Sequence, residues 1–193
     1  TPMHAVIGAQ ELLLKNSALN QHQRELLQSA HTSAASLLGM LNQVLDIAKI
    51  EAGKFTVEHE PVDLKQILFE INQTFFVYAK NKGLHLASFI DPSIADVLLL
   101  DPLRIRQILH NLLSNAIKFT EQGFVFFEIR ILANDHAGQL LEFRIIDQGI
   151  GMAKEDIERV QMPFEQIRSH LSANNESGSS TGLGLSITNH LIG

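Results

Sequence analysis

Residues 111–120 read NLLSNAIKFT, and the spacing inside that stretch organises the reading of everything around it. Asn111, Asn115 and Lys118 stand at i, i+4 and i+7, so a helix here carries two carboxamides and an ammonium on one face. Taken alone, such a face reads by default as a solvated polar stripe. Its meaning depends on three segments downstream: DQGIGM at 147–152, PFEQ at 163–166 and TGLGL at 181–185.

Asp147 follows the buried-looking strand Phe143–Ile146 and precedes Gly149 and Gly151. A carboxylate is thereby projected from a strand end into a loop free of side-chain bulk. Gly182 and Gly184 lie just ahead of a helix expected from Leu185, where unpaired backbone N–H groups and the helix dipole favour phosphate. Glycine lets the backbone approach a ligand closely. Each piece is weak alone, but the four in this order form a nucleotide cradle and point to ATP.

The series resembles the ATP-binding half of a sensor histidine kinase, the GHKL type of ATPase, with its N, G1, F and G2 boxes in sequence. The resemblance extends upstream, where TPMHAVIG at 1–8 looks like the tail of the family's H box and LDIAKIEAGK at 45–54 like the end of its second dimerisation helix. The wording is most similar to the hybrid kinases that also carry a receiver domain. The resemblance implies that Asn115 gives its side-chain oxygen to Mg²⁺, which suits an ion that takes few protein ligands, and that Lys118 meets the phosphates. It also implies that Asp147 accepts the adenine amino protons and that Phe119 lies against the adenine edge, a core position being the alternative for that ring. Thr181, Gly182, Leu183 and Gly184 would line the phosphates, and Phe164 would anchor a lid formed by the Ser-, Asn- and Gly-rich segment 167–180, which need not adopt regular structure. Arg168 is either a phosphate contact or a solvated side chain.

Upstream, Leu27, Ala30, Ala34, Leu37, Leu41, Val44 and Ala48 recur in alternating steps of three and four, widened by Leu38 and Leu45. That is the period of a bundle seam, and a face so wide is buried most economically against a second copy of the hairpin in a four-helix bundle. Ser17–Gln23 break the pattern and are expected to form the turn, with about 16 residues before it and about 28 after. A shortfall of roughly 18 Å leads us to expect that the first helix begins upstream of Thr1, which favours Pro2 as a kink within it over Pro2 as a first helical residue capped by Thr1. The family's phosphoacceptor precedes the Thr-Pro pair, so it too is expected upstream. His4 follows that pair and reads as a helix-surface histidine.

EAGKF at 51–55 ends the second helix. Beyond it, 64–79 and 101–119 read as helices, and 84–90, 125–131 and 141–145 as strands. Val125, Phe127, Ile129 and Ile131 alternate with Glu128 and Arg130, as do Leu141, Phe143 and Ile145 with Glu142 and Arg144, the pattern of a sheet with one wet face. DHAGQ at 135–139 is the expected hairpin turn. The fold class expected is α+β: a helical hairpin forming a dimeric four-helix bundle at 1–53, followed by a GHKL-type α/β sandwich at 54–193. Both ends look trimmed, since the family sheet gains another hairpin.

The chain has no cysteine, and its nine histidines lack zinc spacing, so a metal would use oxygen ligands. A net charge of −6 argues against nucleic acid or an anionic bilayer as partner. No apolar stretch suggests a membrane span; the piece reads as a cytoplasmic domain, and the resemblance implies a parent protein in the bacterial inner membrane. The partners implied are a second copy, a response-regulator or receiver domain, and other sensor kinases. A degenerate kinase that regulates by dimerising is the alternative. A gyrase- or Hsp90-like hydrolase fits less well, because those enzymes carry glutamate at the position of Asn111.

Overall fold

The computed structural model describes residues 2–15, 18–136, 138–160, 162, 165 and 182–192, and divides into two compact units, Thr1–Phe55 and Thr56–Gly193. The first is a hairpin of α1 (Pro2–Leu14) and α2 (Gln21–Glu51). Asn20 caps α2 reciprocally with Gln23: its side chain accepts the Gln23 N–H at 2.9 Å, and Gln23 Oε1 accepts the Asn20 N–H at 3.1 Å. This capping box satisfies donors that a helix N-terminus leaves open. The turn is therefore shorter than the polar run suggested, because residues 21–23 already belong to the helix. Arg24 Nη1 donates to the Leu14 carbonyl at 2.8 Å, closing the end of α1. At the far end Gly53 adopts φ 62°, which glycine alone takes without strain, and the Gly53 and Lys54 N–H groups bond back to Ile50 and Lys49.

The seam of α2 divides. Leu27, Ala34 and Leu38 are half-buried, while Leu37, Leu41, Val44 and Leu45 stay exposed, Leu41 at 46%. Within one chain the hairpin leaves this second stripe uncovered.

The second unit contains β1 (Glu60–Val62), α3 (Leu64–Asn81), β2 (His85–Ile90), β3 (Leu98–Leu100), α4 (Pro102–Phe119), β4 (Phe124–Asp135), β5 (Gly138–Asp147), α5 (Lys154–Arg159) and α6 (Gly184–Ile192). β1 and β3 pair antiparallel, and the larger sheet of the described residues runs β2-β4-β5, parallel then antiparallel. Its core face joins Val125, Phe127 and Ile129 to the apolar stripe of α3, Leu64, Ile67, Leu68, Ile71 and Phe75, and to Leu109 and Leu113 of α4. Asp63 and Asp101 start the two helices by accepting the N–H groups of Gln66 and Arg104, a stabilisation of about 1 kcal/mol per cap.

The hairpin tip is tighter than a five-residue turn, since Asp135 pairs with Gly138. Beyond the expected elements the structure adds the three-residue strands β1 and β3 and the short helix α5. One expectation is overturned: Glu128, assigned to the wet face, is only 4% exposed. Arg130 and Arg144 close over it at 2.6 and 3.8 Å, so its burial is paired. Neighbouring guanidinium groups, not the core, take it out of water.

Candidate functional site

The site is built outward from α4. Its last carbonyls, which a helix cannot satisfy internally, all find donors. Ala116 O accepts Thr120 N–H and Oγ1 at 3.1 and 2.7 Å. Lys82 Nζ reaches the Ile117 and Lys118 carbonyls at 2.7 and 2.6 Å, and the Ile150 N–H donates to Phe119 O at 3.3 Å. Burial beside α4 lowers the Lys82 pKa, with Glu121 acting in the opposite direction. The last bond fastens the loop after β5 to the helix end. In that loop Asp147 Oδ1 accepts the Gly149 N–H at 2.8 Å, and a Cβ at Gly149 would stand 2.6 Å from Phe119 O. Only glycine fits so close to the helix end.

A second loop meets the same helix about two turns earlier, at Asn111. Gly182 has φ 69°, Leu183 is buried, and Gly184 lies so close to the Asn111 carboxamide that any Cβ there would collide with it. Asn111 Nδ2 donates to Thr188 Oγ1 of α6 at 2.8 Å, and Asn115 Nδ2 points to Asn111 Oδ1 at 3.5 Å.

The sequence-derived residues thus gather in two groups on one helix: Phe119, Asp147 and Gly149 at its end, and Asn111, Asn115, Leu183 and Gly184 along its side. Lys118 is exposed, its Nζ 5.4 Å from the Phe119 ring centroid. Phe119 is 42% exposed, so the core alternative for it is set aside. Leu183 is buried, so its backbone and not its side chain is what it could offer a ligand. Gly151 is exposed at φ 66°. Phe164, Thr181, Arg168 and the segment 167–180 lie outside the described residues. Sequence reading missed three supporting residues: Lys82, Thr188, and Gln148, whose Oε1 accepts the Phe124 N–H at 3.1 Å.

Asn115 is a neutral oxygen donor, and among the described residues no group of three or more His, Asp or Glu could hold a metal ion. A hard cation held here would take most of its ligands from phosphates and water, which fits Mg²⁺. A depression of about 520 Å³ lies elsewhere, between the start of α3 and the end of β2, lined by Asp63, Lys65, Phe69, Asn72, Ile90 and Asp91. It is open, and its lysine is paired with Asp96 at 3.0 Å. His4 is an exposed residue of α1. No described helix is long and apolar enough to cross a membrane.

Comparison with known proteins gives two family matches. Residues 1–53 match the His Kinase A (phospho-acceptor) domain and residues 100–193 the Histidine kinase-, DNA gyrase B-, and HSP90-like ATPase domain. The whole chain aligns at 36% identity over 192 residues with the autoinducer 2 sensor kinase/phosphatase LuxQ of Vibrio cholerae and at 38% over 192 residues with the signal transduction histidine-protein kinase BarA of Escherichia coli. It spans 22% and 20% of their lengths. Among solved structures, full-length ShkA in complex with AMPPNP superimposes with a TM-score of 0.70 at 30% identity, over 98% of this chain and 37% of that one.

Proposed function

The chain belongs to the sensor histidine kinases, with a phospho-acceptor helical region and a gyrase- and Hsp90-like ATPase fold, and from that premise we propose that it binds Mg-ATP and passes the γ-phosphoryl group to a histidine. The carrying observation is that one helix, α4, holds both glycine loops at contact distance while presenting Asn111, Asn115 and Lys118 on one face. In this reading Asp147 accepts the adenine amino protons, and Phe119 packs against the base. Gly149 and Gly151 leave room for it. The backbone of Thr181–Gly184 and the Lys118 ammonium hold the phosphates, with Phe164 anchoring the lid. Bound Mg²⁺, taking Asn115 Oδ1 as its protein ligand, would neutralise phosphate charge. The protein's own contribution is positioning and exclusion of water, since phosphoryl transfer needs little covalent help.

Residues 1–53 are proposed as the dimerisation and histidine phosphotransfer hairpin and 54–193 as the catalytic domain. The uncovered stripe of Leu37, Leu41, Val44 and Leu45 supports pairing with a second copy. The acceptor histidine is proposed to precede Thr1, whose Thr-Pro context resembles the end of an H box, and a response-regulator aspartate is the onward acceptor. Full-length protein incubated with radiolabelled ATP should gain acid-labile, base-stable phosphate on a histidine before Thr1. Label on His4 would overturn that assignment, and nucleotide binding without any label would favour a regulator that acts by dimerising alone.

A further inference from the structure

Asp147, the proposed adenine acceptor, is the last residue of β5 and stands opposite Val125 of β4. Cross-strand partners share a face of the sheet, so it lies on the side of buried Val125, which the helices cover. Opposed pairs in an antiparallel ladder alternate between bonded and non-bonded. The His85 N–H donates to Gly123 O, so odd-numbered residues at this end of β4 turn their backbone groups to β2 and even-numbered ones to β5. Phe126 and Ile146 therefore form a bonded rung, Val125 and Asp147 do not, and the next rung would join Phe124 to residue 148. β5 ends before it. In place of that rung the Gln148 side chain accepts the Phe124 N–H through Oε1 at 3.1 Å. A backbone N–H can only donate, which fixes the oxygen end of the carboxamide there. Gly123, at φ 103°, leaves the space, since a Cβ on it would collide with that oxygen.

We propose that Gln148 is a positioning residue for the adenine end of the site, holding the Asp147 carboxylate where a base would meet it by supplying the rung that the backbone gives up. This rests on the reading of Asp147 given above. Because a side chain makes the rung, the chain after Asp147 stays fastened to β4 and is still free to turn, bringing the Gly149 N–H to Asp147 Oδ1 and the Ile150 N–H to Phe119 O. Asp147 is thus held from both sides although it makes no rung of its own with β4.

The test is titration with ADP and with inosine diphosphate, which carries a carbonyl in place of the adenine amino group. The full-length proteins compared are wild type, Gln148→Met, Gln148→Glu, Asp147→Asn and the Gln148→Met/Asp147→Asn double variant. Methionine keeps the length and removes the acceptor; the bond is exposed, so water takes over the Phe124 donor at little cost to global stability. In Gln148→Met the preference for ADP over inosine diphosphate should fall about fivefold, the scale of one net hydrogen bond. Gln148→Glu keeps an acceptor oxygen and should keep at least the wild-type preference; both ligands carry the same phosphates, so the added charge cancels in the ratio. In the Asp147→Asn background methionine should cost nothing further, because Gln148 acts through that carboxylate. An unaltered preference in Gln148→Met, no rescue by glutamate, or an equal cost in the Asp147→Asn background would overturn the positioning role while leaving adenine recognition by Asp147 intact. A wild type without preference for ADP would overturn the reading of Asp147 and this inference with it. If Gln148→Met does not fold, hydrogen exchange in the wild type decides: the Phe124 amide should be protected at least about tenfold over an unstructured chain, and an unprotected amide would overturn the proposal.

Discussion

On the proposed reading, Asn111 puts a carboxamide where the resemblance places a glutamate in gyrase- and Hsp90-like hydrolases, and the difference would bear on what attacks the γ-phosphate. A positioned general base contributes roughly 10²- to 10⁴-fold to a rate, and an amide cannot serve as one. Asn111→Glu is therefore expected to raise ATP hydrolysis at least about tenfold if Mg²⁺ binding survives; unchanged hydrolysis with intact binding would leave water exclusion as the better explanation. Its neighbour His110 reports on the other flank of α4. The His110 ring lies 4.9 Å from that of Phe75, edge on, and although more than a third of the residue reaches solvent, removal from water there and then the Arg106 charge hold its pKa below the ordinary 6.5. A depressed folded-state pKa means that the unfolded chain binds the proton more readily, so the contribution to stability is complete above pH 6.5 and is lost as pH falls through the folded value. His110→Phe should flatten the decline in melting temperature on acidification, by a modest amount because solvent screens the site.

The end of α4 illustrates what an element's sequence does and does not reveal. Lys82, after α3, supplies the donors for two of its last carbonyls, and Lys82→Met should cost about 1 kcal/mol, a figure kept low because the ammonium retains water contact. Chemical denaturation would measure it, and an undiminished stability would mean that water replaces the cap. Nothing in residues 111–120 announces that cap, since the lysine lies outside the helix and is brought there by the fold. The apolar periods of α3, α4 and β4 were legible because each element buries one face. β1 and β3, at three residues each, are too short for alternation to register. The Asn20 and Gln23 capping box was written in the sequence but submerged in a polar run that read as turn throughout. Glu128 looked solvated because alternation assigns a face and not the neighbours on it. In the site, residues within one helix or loop could be grouped from spacing alone, whereas Thr188 could not be, its partner being fixed only by the packing of α6 on α4.

For the whole molecule, two units with different chemistry share one chain: a hairpin with an uncovered apolar stripe, and a sandwich whose helix α4 gathers both glycine loops. The account stands on the second unit being a nucleotide site with Asp147 as the adenine acceptor. The direct test is calorimetric titration of the folded protein with Mg-ADP, wild type against Asp147→Asn. We expect saturable binding to the wild type and affinity at least about tenfold weaker in the variant, the scale of a hydrogen bond to a charged group. Equal affinity in the two folded proteins would remove Asp147 from that role, and no binding by the folded wild type would contradict the account as a whole.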